Sequence, residues 1–214
     1  MTLATVITQT GQVAYERVLR HRLPRKIALC NGVLAYYPRV LDRTAHLPDI
    51  ESHLVDAVHR AVETGDTVVE IGGGFGITTV HAAESVGEGG AVFTYDAHAK
   101  RVDYIATAAR INGVADRVEV RHATVGPAID TKGNSERIPA TDLPECDALV
   151  LDCEGAESTV VREIDHLPRS IVVEFHPELA ADSRPEFESL LENRGYDVAD
   201  CGSDGLNEYL IATR

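Results

Sequence analysis

The sequence predicts an α/β protein built on a doubly wound mixed sheet whose final edge strand is reversed. Short apolar runs alternate with helix-length amphipathic segments from residue 49 onward, the pattern of strands covered by helices on both faces. The strongest run, Thr67–Ile71, passes directly into Gly72-Gly73-Gly74-Phe75-Gly76 and then into helical Ile77–Ala83. The last two runs, Tyr196–Ala199 and Glu208–Ala212, are separated only by Asp200–Asn207 and no helix. They therefore pair antiparallel.

Residues 1–48 read as an N-terminal extension or lid, and residues 49–214 as the main domain. Ala14–Leu23 suits a short helix. Lys26–Cys30 and Val33–Tyr37 suit strands joined by Asn31-Gly32, a two-residue hairpin signal. Asp49 is placed to cap a helix with Leu54, Val55, Val58 and Val62 on one side, ended by Gly65-Asp66. After the glycine turn and its helix, Ala91–Tyr95 forms a second strand that finishes at Asp96. A helix near Lys100–Ile111 stops at Asn112-Gly113. Val118–Arg121 is a third strand, and residues 127–146, rich in Pro, Gly and polar groups, make a long surface loop. Ala148–Leu151 is a central strand ending at Asp152. Val160, Val161, Ile164 and Leu167 share a helix face closed by Pro168. Ser170–Phe175 supplies another strand, and a helix over 186–193 stops at Gly195.

A chain of 214 residues can bury one substantial core, and its 44% hydrophobic content argues against general disorder. Lys and Arg total 20 against 34 Asp and Glu, a net charge of −14. That repulsion disfavours long nucleic acid as a partner and leaves a small molecule. The acidity suits a surface adapted to high salt as well as it suits ordinary acidic proteins. Cys30, Cys146, Cys153 and Cys201 are dispersed without a C-x-x-C pair, as expected of reduced structural thiols in an intracellular protein. No run approaches the roughly 20 apolar residues that span a bilayer, and Met1–Val6 leads into no convincing signal core. The expected location is cytoplasmic.

Chemistry should gather beyond the carboxyl ends of the parallel strands. The glycine spacing is G-x-G-x-G; Ile77 stands where a dinucleotide fingerprint would carry its last glycine, and no Lys-Ser or Lys-Thr pair marks a P-loop. This favours a cofactor held through ribose and amino acid portions, and S-adenosylmethionine fits. Gly72 and Gly74 approach it, and Glu70 orients a ligand amine or the loop. Asp96, 20 positions after Gly76, accepts hydrogen bonds from ribose hydroxyls. His98 is a candidate flank for the adenine. Ala123 packs near the base and Thr124 offers a hydroxyl, both in a segment, His122–Val125, expected to follow the third strand. Asp152-Cys153-Glu154-Gly155-Ala156-Glu157 is the most diagnostic polar cluster, since acids after four apolar residues are costly to bury without partners. Asp152 aligns an acceptor, and Glu154 or His176 takes its proton. Glu157 sits in the first turn of the next helix, Cys153 packs as a small hydrophobe, and Glu174 braces His176. His122, Asp152, Glu154 and His176 have metal-donor chemistry, but nothing in their spacing brings them together, so no metal is expected.

The glycine loop, Asp96, Asn112-Gly113, Asp152–Glu157 and Val173-Glu174-Phe175-His176 together resemble the FkbM-like family of S-adenosylmethionine-dependent methyltransferases over residues 49–212. The D-x-E-G-A-E pattern at Asp152, Glu154, Gly155, Ala156 and Glu157 carries most of that resemblance. The glycine loop departs from the family's D-x-G-A-N-x-G, with Glu70 at the acid, Gly73 replacing Ala and Gly74 replacing Asn. The resemblance implies a Rossmann-like sheet of class I methyltransferase type and O-methylation of a small-molecule or sugar-like hydroxyl. It also implies cofactor contacts at Glu70, Gly72 and Asp96. The alternatives from other classes are a nicotinamide-dependent oxidoreductase and a non-catalytic nucleotide-binding module.

Overall fold

The computed structural model describes Tyr15, residues 19–126 and residues 135–214. The order of elements alternates as the sequence predicts. The strands β4 (Thr67–Ile71), β5 (Ala91–Asp96), β6 (Val118–Val125), β7 (Glu136–Ile138), β8 (Ala148–Leu151), β9 (Ser170–Phe175), β10 (Asp197–Ser203) and β11 (Glu208–Thr213) form one sheet in the order β10-β11-β9-β8-β4-β5-β6-β7. β9, β8, β4, β5, β6 and β7 are mutually parallel; β11 runs antiparallel to both β9 and β10. The final strand is thus the reversed one, and the β10–β11 hairpin closes that side of the sheet.

Among the described residues five helices cover the sheet: α1 (Ser52–Ala61), α2 (Ile77–Val86), α3 (Ala99–Ile111), α4 (Glu157–Glu163) and α5 (Arg184–Asn193). β8 and β9 are buried along their whole length, which explains why β8 reads as a continuous apolar run and β9 as one broken only by Ser170 and Glu174, rather than as alternation. Alternate strand residues still separate into two cores. Val68, Val92, Val150 and Val172 pack with α1–α3. Val69, Tyr95, Leu149, Leu151 and Val173 pack with α4 and α5. α5 begins with a reciprocal capping box between Ser183 and Glu186, with proline in its first turn.

A second, smaller sheet joins β1 (Arg25–Cys30), β2 (Val33–Arg39) and β3 (His46–Leu47). Asn31 and Gly32 both have positive φ, 45° and 84°, as a two-residue hairpin turn requires. Ala28, Cys30, Val33 and Ala35 bury into the α1–α3 core. Asn112 tethers the hairpin to the end of α3, accepting from the Leu34 N–H at 3.0 Å and donating to its carbonyl at 2.9 Å.

Several boundaries differ from expectation, each for a local reason. Arg20–Arg22 form one 3-10 turn where a helix over Ala14–Leu23 was expected, and Ala14 and residues 16–18 lie outside the described residues. Asp49 does not cap α1; the residue before its first turn is Glu51, at φ 55°. Its carboxylate is drawn instead to the Thr78 hydroxyl, 3.0 Å away. His122–Val125 are the end of β6 rather than a loop after it. β7, emerging from the expected 127–146 loop, extends the sheet by pairing Ala123, Thr124 and Val125 with Glu136, Arg137 and Ile138. Residues 127–134 of that loop lie outside the described residues. All four cysteines are free thiols. No helix among the described residues is long and apolar enough to cross a membrane.

Candidate active site

β4 and β8 are neighbours, so the turns leaving them touch. Gly72, at φ 94°, lies so close to the chain after β8 that a Cβ there would stand 1.8 Å from the Asp152 carbonyl oxygen. Gly74, at φ 56°, faces open space, with nothing within 4 Å of a built Cβ. Its N–H donates to Asp96 Oδ2 at 3.1 Å, while the His98 N–H donates to Oδ1 at 2.8 Å. Burial raises the Asp96 carboxyl above the ordinary aspartate range, the backbone donors opposing that shift. Each oxygen still has a lone pair to offer an incoming hydroxyl.

A cavity of about 430 Å³ opens at this end of the sheet. Gly72, Asp96, Ala123, Thr124, Asp152 and Glu154 all line it, together with His98 and Cys153. Residues from the ends of β4, β5, β6 and β8 thus share one wall, as a switch-point crevice requires. Thr124 Oγ1 is 2.6 Å from Ser135 Oγ. Glu154 stands exposed at the rim at φ 54°, followed by Gly155 at 97°.

Glu70 is the site residue whose expected role changes most. Its side chain is fully buried and does not line the cavity. Oε2 accepts from Thr79 Oγ1 at 2.5 Å and from Thr94 Oγ1 at 2.7 Å, so the carboxylate ties α2 to β5 beneath the glycine loop. Burial lifts its pKa to about 7, against the opposing pull of the two threonine hydrogen bonds. A folded-state pKa above the unfolded value favours the protonated form on folding, so this stabilisation is complete below about pH 4.5 and is lost as pH rises through about 7. Relative to wild type, Glu70→Gln therefore gains up to about 3 kcal/mol between pH 4.5 and pH 8. Urea unfolding at the two pH values measures the gain; an unchanged difference would refute it.

Behind Asp152 lies a second polar group that the sequence reading only partly assembled. His176, at the end of β9, has a side chain nine-tenths buried. Its Nδ1 donates to Glu157 Oε1 at 3.1 Å, and its Nε2 faces Asp152 Oδ1 at 3.4 Å and Glu174 Oε1 at 3.7 Å. Burial opposes charge on the ring, but the Glu157 hydrogen bond and the fields of Asp152 and Glu174 outweigh it and push the pKa to about 9. Burial, reinforced by Glu174, holds Asp152 well above the usual aspartate range. Asn207 Nδ2 donates to Glu174 Oε1 at 2.5 Å.

Glu157 was expected only at a helix start. It is wholly buried, and its Oε1 also accepts from the Gly155 N–H at 3.0 Å. Two residues therefore act together that sequence spacing alone could not join, because β8 and β9 pair only in the fold. Glu51 was missed altogether: its carboxyl, lifted to about 7 by burial, bonds Thr78 near the glycine loop. Glu51 belongs to no motif, and the motif that contains Glu157 does not reveal its partner. His122, by contrast, is turned away, with Nε2 3.1 Å from the Ala97 carbonyl oxygen.

This strand order, with its reversed last strand and crevice beside the glycine turn, defines a Rossmann-like fold of the class I methyltransferase type. Solved structures share it. An S-adenosylmethionine-dependent methyltransferase from Aquifex aeolicus aligns over 77% of this chain and 92% of its own, at 17% identity and a TM-score of 0.52. An O-methyltransferase from Bacillus cereus, in complex with S-adenosylhomocysteine, aligns over 81% and 84%, at 18% identity and a TM-score of 0.53. The O-methyltransferase TomG from Streptomyces achromogenes, in complex with S-adenosylmethionine, aligns over 81% of each chain, at 16% identity and a TM-score of 0.52. No protein-family model and no curated protein sequence matches the chain. The FkbM-like resemblance is corrected accordingly: what these comparisons support is the general class I methyltransferase core. The D-x-E-G-A-E run has a local explanation instead. Glu154 and Gly155 form a turn with two positive φ angles, and the Glu157 carboxylate closes it through the Gly155 amide.

Proposed function

We propose that the protein is an S-adenosylmethionine-dependent methyltransferase acting on the hydroxyl of a small-molecule or sugar-like acceptor. The observation that carries this reading is the shared cavity. A ribose acid, Asp96, and an acidic acceptor end, Asp152 and Glu154, face one space with Gly72 between them. The cofactor's ribose hydroxyls bond Asp96, its adenine lies against Ala123 and Thr124, and its methionine portion runs along the glycine turn toward Asp152. The carboxylates at that end favour a sulfonium electrostatically. The cofactor-bound neighbours of the same fold support this orientation, and the two O-methyltransferases among them support an oxygen acceptor.

Methyl transfer needs the acceptor oxygen in line with the sulfur–methyl bond, and orientation supplies much of the rate. Asp152 orients the hydroxyl, His176, fixed by Glu157, faces Asp152 from behind, and Glu154 at the solvent-facing rim takes the proton as the carbon–oxygen bond forms. Residues 19–48 serve as a cover: Tyr37 packs edge-on against Phe75 of the glycine turn at 5.0 Å, and Arg25 lies over the same ring at 4.2 Å.

Calorimetry tests the assignment. S-adenosylmethionine and S-adenosylhomocysteine bind at one site per chain, and nicotinamide dinucleotides do not, because the turn lacks their glycine spacing. Glu154→Gln leaves the affinity for S-adenosylhomocysteine, which carries no sulfonium charge, unchanged and lowers kcat at least about 100-fold, the lower end of a general base's contribution. Preferential binding of the dinucleotide would replace this reading with the oxidoreductase one.

A further inference from the structure

Asp152, Glu174 and His176 each direct one donor atom into a common space, and all three atoms lie within 4.8 Å of one another. They come from the ends of two adjacent strands, β8 and β9, which the parallel pairing of Leu151 with Val173 sets side by side. His176 Nε2 points between the two carboxylates, 3.4 Å and 3.7 Å away, and makes no hydrogen bond with either among the described residues. These separations are long for hydrogen bonds. They suit donors grouped around an ion: at about 2.1 Å from each donor, neighbouring donors stand about 3.0 Å apart in an octahedron and about 3.4 Å in a tetrahedron.

The surroundings are those of ligands held in place. Glu157, wholly buried, fixes the imidazole through Nδ1 and so leaves Nε2 as the outward-facing nitrogen. A carboxylate on the far nitrogen is the usual partner of a ligating histidine, setting its orientation and raising its basicity. Asn207 holds Glu174 in the same way, through the carboxylate oxygen that faces the histidine. His176 and Glu174 are both 8% exposed, while the Asp152 side chain, at 29%, opens to the cavity. One side of the cluster therefore remains accessible to a further oxygen ligand.

We propose that Asp152, Glu174 and His176 form a binding site for one divalent first-row transition metal ion at the acceptor end of the cavity. One imidazole with two carboxylates favours manganese, iron or zinc over magnesium or calcium, which take oxygen alone. The ion's open side would hold the acceptor's oxygen. That role rests on the methyltransferase reading, whereas uptake of the ion does not.

The test is a manganese(II) titration of the intact, cofactor-free protein, followed by loss of the free-ion EPR signal. Wild type takes up one ion per chain with higher affinity than its surface acids. Asp152→Asn and Glu174→Gln each weaken that uptake at least 10-fold, while Asp103→Asn, an exposed acid on α3, leaves it unchanged. Urea midpoints verify that the variants are folded. Pulsed EPR of the wild-type complex shows coupling to one imidazole nitrogen, a signature that needs no variant. Absence of the stoichiometric ion, absence of nitrogen coupling, or wild-type affinity in both folded carboxamide variants overturns the site. Ion uptake by a protein that takes no S-adenosylhomocysteine keeps the site and rejects the transferase reading; the reverse pattern rejects the site alone.

Discussion

Asp96→Ala weakens S-adenosylhomocysteine binding about 100-fold, close to 2.7 kcal/mol, while leaving the chain folded. The magnitude follows from two hydrogen bonds to a buried carboxylate, each stronger than a neutral pair. Asp96 is 3% exposed and sits at the tip of β5 on the cavity wall. Its present partners are the Gly74 and His98 amides, so alanine also releases the glycine turn from β5. Asp96→Asn separates the two effects, because it keeps an acceptor for one amide but loses the charge. It retains thermal stability near wild type and still loses at least 10-fold in affinity, consistent with the added worth of a charged acceptor. Calorimetry on both variants, with urea unfolding as the check on the fold, gives the answer. Wild-type affinity in folded Asp96→Ala would remove the ribose role and the cofactor orientation built on it.

The largest stability effect belongs to Gly72→Ala, which costs at least about 4 kcal/mol, a size reserved for substitutions the surroundings cannot absorb. The added methyl would collide with the Asp152 carbonyl oxygen at 1.8 Å, and φ is 94°. Relief requires β4 and β8 to separate where they carry the site, so Asp152 moves with the backbone. Gly74→Ala is the matched control. Its methyl meets nothing within 4 Å at φ 56°, so only the left-handed backbone penalty of about 1–2 kcal/mol applies. Gly74 does not line the cavity, but its N–H holds Asp96 Oδ2, so that variant loses cofactor affinity out of proportion to its stability. Urea unfolding of both variants checks the contrast; equal destabilisation would mean that the close strand approach carries no special cost.

Most of the fold was legible because its signals are local. β8 is an uninterrupted apolar run and β4 and β9 are apolar but for Glu70, Glu174 and their first residues, and a sheet buried on both faces leaves no alternation to confuse with a helix. The sequence marks only half of β6, because Val118–Arg121 alternates half-buried apolar and exposed charged positions while His122–Val125 contains polar residues. Only the pairing partner β7, three residues long and inside a loop-like stretch, shows that the strand continues. Glu51 and Glu70 illustrate the complementary difficulty. An isolated glutamate has the same spelling whether it faces solvent, a ligand or two buried threonine hydroxyls. The side of the backbone it leaves from, and what the neighbouring layer presents, settle its role.

By itself the sequence determined the alternation of strands and helices, the turn at Gly72–Gly76, the reversal of the last strand and the placing of Asp96 and Asp152 at strand ends. These are properties of a few adjacent residues: hydrophobic period, turn torsions and the absence of a crossover helix. The tertiary structure alone decided that Glu70 points inward, that Glu157 holds His176, and that Glu174 joins Asp152 and His176 around one space. Those relations depend on which strands lie side by side and in what register. Strand order is set by burying two helical layers at once, an energy spread over the whole chain and written at no single position in it.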